Sequence, residues 1–127
     1  MPITFHYDPG LKILFTTAHG GISLADVQEH LDQESEEKAL RYRELVDASN
    51  AWNDLTPEQV RVLVHRLHGM MRGQQLGPTA VVTDNDELFG MARMFSILSE
   101  IRDGPSVAVF RGFDEALNWL LRVPPSR

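Results

Sequence analysis

At 127 residues with a formal charge of −6 and no cysteine, the chain has room for one domain and excludes disulfides, zinc-thiolate sites and thiol catalysis. Hydrophobic residues make up 43% and charged residues 24%, the balance of a folded globular protein rather than a disordered one. The acids gather in Asp32, Glu34, Glu36 and Glu37, which argues against nucleic acid as a partner, because affinity for phosphate comes from lysine and arginine.

Ile3, Phe5 and Tyr7 alternate with Thr4, His6 and Asp8, the period of a strand with one buried and one wet face, as at a sheet edge. Pro9-Gly10 turns the chain into a second, more apolar strand over 11–18, which His19-Gly20-Gly21 breaks. Ser23 and Asp26 form a capping box for a first helix, in which Leu24, Val27 and Leu31 are the inward stripe and the acidic run up to about Ala39 faces water. Residues 42–48 form a third strand, closed by Asp47-Ala48-Ser49-Asn50. Thr56-Pro57-Glu58-Gln59 then opens a second helix with Thr56 as cap, Pro57 in the first turn and Gln59 reaching back.

Val60, Leu63, Val64, Leu67 and Met71 give that helix its buried face, while Arg61, Arg66 and Arg72 are its wet one; Gly73 and Gly77-Pro78 end it. Thr79 to Thr83 is a short strand buried on both faces, and Asp84-Asn85-Asp86 caps a third helix whose inward stripe runs from Leu88 to Ile101. Ser106 to Phe110 is the last strand. A final helix follows, with Asp114 as cap and Phe113, Leu117, Leu120 and Leu121 on one face.

Strand-helix alternation after an initial hairpin implies an α/β fold: a five-stranded mixed sheet, order 1-2-3-4-5, with strand one antiparallel and four helices, in a single domain over 1–127. Val46, Val81, Val82, Val107 and Val109 are expected to be nearly fully buried on the central strands. If all crossovers run one way, the opposite face, including Leu14 and Val46, is left bare, and a homodimer partner is its predicted cover.

Three stretches resemble the SpoIIAA-like branch of the STAS domains: Tyr-Arg-Glu-Leu-Val-Asp (42–47), Ala-Val-Val-Thr-Asp (80–84) and Val-Ala-Val-Phe-Arg-Gly-Phe-Asp-Glu-Ala-Leu-Asn-Trp-Leu (107–120). The resemblance implies that fold and a regulatory or protein-interaction role without enzymatic activity. In the phosphorylated antagonists of that family the third strand leads to Asp-Ser-Ser-Gly-Leu, whose second serine accepts phosphate. Asn53-Asp54-Leu55-Thr56-Pro57 stands there in this chain, so Asp54 and Thr56 match in chemical type and Leu55 and Pro57 do not.

The candidate switch or interaction residues are therefore Thr56, Asp54, Asp47, Ser49, Trp52 and Asp84, at the loops where strands end and helices begin. Trp52 lies outside any apolar period and is either a packed lid or an exposed anchor. Asp47, Asp84 and Asp86 share that rim, but as turn-formers and caps rather than metal ligands. His65 and His68 are expected to face solvent, and His6 and His19 have no nucleophile in pattern with them, so no catalytic, cofactor or metal site is assigned. Met70, Met71, Met91, Met94, Phe89 and Phe95 form a soft apolar set, read as core. The alternative function is a carrier or sensor of a small hydrophobic or anionic ligand at the strand C-terminal rim. With no signal-peptide pattern at Met-Pro-Ile-Thr-Phe-His and no long apolar run, a cytoplasmic protein with no membrane insertion is expected.

Overall fold

A computed structural model describes residues 2–72 and 74–124, so Gly73 lies outside the described residues. The elements are β1 (Ile3–Asp8), β2 (Ile13–Ile22), α1 (Leu24–Glu36), β3 (Arg43–Asn53), α2 (Pro57–Met70), β4 (Thr79–Val82), α3 (Asp86–Ile101), β5 (Val107–Phe110) and α4 (Phe113–Arg122). They build one five-stranded sheet in the order β1-β2-β3-β4-β5, antiparallel between β1 and β2 and parallel elsewhere.

Local chemistry sets the boundaries. Asp8 closes the hairpin by accepting from the Leu11 amide at 3.0 Å, and Lys12 takes up a positive φ of 57° beside it. The Ser23–Asp26 and Thr56–Gln59 capping boxes are both complete, so at two helix starts the N-cap and N3 amides are satisfied. The third cap is Asn85, which accepts from the Leu88 amide at 2.9 Å. The last helix starts at Gly112 without a side-chain cap, so Asp114 sits inside its first turn, where its charge suits the helix dipole, and is not the cap.

β2 and β3 are longer than the sequence pattern indicates. The His19-Gly20-Gly21 segment stays in the strand because a register shift between Thr17 and His19 and the positive φ of Gly20, 76°, absorb the irregularity. β3 runs on to Asn53, carrying Asp47, Ser49 and Trp52 within it, because the extended β2 gives it hydrogen-bonding partners as far as Ile22.

The three crossover helices α1, α2 and α3 lie side by side on one face of the sheet, and α4 folds back onto the other. Under α4 the core is dense: Ile13, Leu45, Ala80, Val82, Ala116 and Leu120 are buried together. Arg43 donates to the Leu120 and Val123 carbonyls and so anchors the α4 C-terminus to β3. Leu14 and Val46 lie on the α1–α3 face, on the same side as Thr16, so they are covered by helices and the bare-face argument for a dimer does not hold at these residues.

Candidate functional site

Under α1–α3 the packing is loose. A cavity of about 220 Å³ lies between these helices and the sheet, larger than the roughly 150 Å³ apolar cavity that suffices to bind a benzene ring. Ala18, Val46, Ala48 and Val81 floor it; Val60, Leu63, Leu88, Met91 and Phe95 roof it. Val46, Val81 and Val107 are only half-buried because their side chains border this space, and Val109 is half-buried on the edge strand. Val82, on the α4 side, is buried as expected.

One part of the wall is polar. His30 and Glu34 project from α1 one turn apart, and Glu44 and Thr16 rise from adjacent strands, where Thr16 pairs beside Val46. His30 Nε2 lies 3.1 Å from Glu34 Oε1 and 2.9 Å from Glu44 Oε2, and the Thr16 hydroxyl donates to Glu44 Oε2 at 2.5 Å. Glu34 is 2% exposed and His30 8%. The acidic face of α1 is therefore not uniformly in water. Positions 27, 30, 31 and 34 share one side of the helix, and the lower part of that side is His and Glu rather than apolar.

Burial shapes the charge of this cluster. It alone would lower the His30 pKa, but hydrogen bonds and charge from Glu34 and Glu44 outweigh it and raise the value to about 10. Burial, reinforced by the Glu44 charge, pushes Glu34 up to about 8. Burial works against Glu44 as well, yet the hydrogen bond and charge of His30, with the Thr16 hydroxyl, hold it below the usual carboxylate range. These shifts together favour, near neutral pH, an imidazolium between an ionised Glu44 and a protonated Glu34.

These three side chains bring ligating atoms within 4.8 Å of one another, the sole such metal-sized group among the described residues. Their geometry is that of a hydrogen-bonded set instead. A metal-bound histidine nearly always donates its second ring nitrogen to an acceptor, and His30 Nδ1, though buried, has no partner among the described residues.

The residues expected at the loops lie elsewhere, at the rim. Thr56 caps α2 and is exposed; Asp54 is exposed, with its carboxylate against Gly21. Asp47 accepts from the Ser49 amide at 3.1 Å and from its hydroxyl at 2.6 Å, a local turn rather than a ligand set. Asp84 and Asp86 both approach Arg111, at 3.8 and 2.8 Å, and that guanidinium also covers the Phe89 ring. Trp52 is 55% exposed, with its indole against Gly21. Among the six rim candidates none borders the cavity. His6, His19, His65 and His68 are exposed. Met91 and Phe95, from the soft apolar set, do border the cavity.

No family model matches the chain, and no curated protein matches it. A crystal structure of an uncharacterised protein of the DUF3478 family with a SpoIIAA-like fold, from Shewanella loihica, is similar at a TM-score of 0.58 and 16% identity, over 93% of each chain. The chain thus has a SpoIIAA-like fold. No helix among the described residues is long and apolar enough to cross a membrane.

Proposed function

We propose that this SpoIIAA-like domain is a non-enzymatic carrier or sensor that holds a small hydrophobic ligand between its sheet and the α1–α3 layer. The observation that carries the reading is the cavity itself: apolar floor and roof, and one polar pole formed by His30, Glu34, Glu44 and Thr16. Pockets of this composition bind by apolar contact and orient the ligand by a few polar groups. The binding place is the sheet-helix interior rather than the rim. Among the described residues at the pole, the Thr16 hydroxyl donates to Glu44 and His30 is held between two acids, which is not the nucleophile–base arrangement that covalent catalysis needs.

Native mass spectrometry of the purified chain tests this. A retained molecule, released on unfolding, is the expected result; a bare chain that also takes up no added hydrophobic probe would overturn it.

A second reading, a regulatory protein-interaction module, is favoured by Trp52, whose large exposed indole at the rim is the kind of anchor that protein partners use. A second copy of the chain is one such partner, and sedimentation giving a single-chain mass at high micromolar concentration would remove the homodimer.

A further inference from the structure

The polar pole of the cavity is chemically one-sided. Glu34 and Glu44 bring two carboxylates and His30 one imidazole, and among the described residues no lysine or arginine lines the cavity. A fatty-acid carboxylate or a phosphate placed there would face two acids and a single cation already held between them at 3.1 and 2.9 Å. Away from water such repulsion is weakly screened. A cationic group meets the opposite situation: the proton on Glu34 is what balances the pole near neutral pH, and a cation can take that proton's place between the two carboxylates. The remaining charged groups nearby do not supply that balance: Arg41 is occupied with the Tyr42 hydroxyl, and Arg66 on α2 with Asp32 and the Gln28 carbonyl.

The pole is also incomplete in itself. The His30 side chain is 9% exposed, and its Nδ1 has no partner among the described residues. Such a donor calls for an acceptor, which an ammonium is not, so only the carboxylates favour a cation.

We propose, on the reading that the cavity holds a hydrophobic ligand, that the ligand is a hydrophobic amine, its ammonium group seated on the Glu34 and Glu44 carboxylates and its hydrocarbon or aromatic body in the apolar space under α1–α3. The exchange balances: the ammonium arrives with its charge, the Glu34 carboxyl gives up its proton to solvent, and the net charge inside the domain is unchanged. Glu34 holds that proton up to about pH 8, so below that pH affinity rises with pH, by up to about tenfold per unit.

Calorimetric titration of the full chain with 2-phenylethylamine, 2-phenylethanol, ethylbenzene and 3-phenylpropanoate, at pH 6 and pH 8, tests the inference. The amine is expected to bind about tenfold or more tighter than the alcohol at pH 8, to weaken at pH 6, and to release about one proton at pH 6 and about half a proton at pH 8, while the carboxylate does not bind. Glu34→Gln keeps the shape and donor of the protonated acid; it should lose the preference for the amine over the alcohol, whatever its affinity for ethylbenzene. If ethylbenzene binds and the amine has no advantage over the alcohol, the inference falls and the cavity reading stands. If no probe binds, both fall. Tight zinc binding that Glu34→Gln abolishes, with no preference for the amine, would assign the pole to a metal ion and overturn the inference as well.

Discussion

His30 and Glu34 stand one turn apart on α1, and their side chains meet at 3.1 Å on the face that the helix turns away from water. An i, i+4 pair of this kind on a wet surface contributes only a few tenths of a kcal/mol. Here Glu44 comes up from β3 against the same imidazole, and the three groups share protons in a dry wall.

Stability should therefore fall from mildly acidic to alkaline pH. His30 keeps its proton to about pH 10 in the folded chain, and Glu34 to about pH 8, against ordinary values of 6.5 and 4.5. Both are raised, so their contribution is complete below the unfolded values and is lost as pH rises through the folded ones. The Glu34 part goes between about 4.5 and 8, the His30 part between about 6.5 and 10, at up to ~1.4 kcal/mol per proton per pH unit. Glu44 is lowered, so it opposes this only at acid pH, where its contribution is lost. Thermal melts from pH 5.5 to 9 should show the melting temperature dropping by several degrees, with Glu34→Gln dropping less. A melting temperature that climbs from pH 6.5 to 9 would be the contrary result.

The sheet order was legible because strand-helix alternation leaves few connections, and the capping boxes at Ser23 and Thr56 are local chemistry that no tertiary contact overrode. The rim candidates were legible as positions at or near strand ends. The buried pole was not, since Glu34 stands in a run with Glu36 and Glu37 that looks wet throughout. Its signal was phase: positions 30 and 34 continue the stripe of Val27 and Leu31, and Glu44 alternates with buried Leu45 on a strand. Neither phase nor composition reveals a cavity, because a half-filled space arises from how three helices sit on a sheet and leaves the apolar pattern unchanged.

A cavity-filling substitution separates real space from ordinary core. Ala92 is half-buried on α3 and borders the cavity. In a close-packed interior, Ala92→Leu would cost roughly 1–3 kcal/mol through overpacking. In this wall it should leave the melting temperature unchanged or raise it by a few degrees, as filling substitutions do, and it should weaken capture of ethylbenzene. A large loss of stability with binding intact would show that the space is already occupied by side chains.

Thr56 accepts from the Gln59 amide at 3.2 Å, and the Gln59 side chain answers the Thr56 amide at 3.1 Å. Thr56→Ala should cost about 1 kcal/mol, roughly 3–5 °C in melting temperature for a chain of this size. Thr56→Asp should restore most of it, because aspartate is an equally good cap and its charge lies at the favourable end of the helix. Equal loss in both variants would mean that the hydroxyl has a role beyond capping, as the switch position it occupies by resemblance would require.

Trp52 sets the last expectation. It pairs opposite Gly21, whose missing side chain lets the indole lie across β2, and it stays 55% exposed on the side of β3 opposite to buried Ala51. Burying a tryptophan fully in a core makes its removal cost about 3–5 kcal/mol; an indole this exposed has little of that to lose. Trp52→Ala should therefore shift the melting temperature by no more than a degree or two, while a rim that recognises a protein should lose most of its affinity, since exposed tryptophans are frequent anchors of such contacts. Ethylbenzene binding serves as the internal control, because Trp52 does not border the cavity. A variant that loses several degrees, with partner binding intact, would show instead that the indole acts as a structural cover for Gly21 and the extended end of β2.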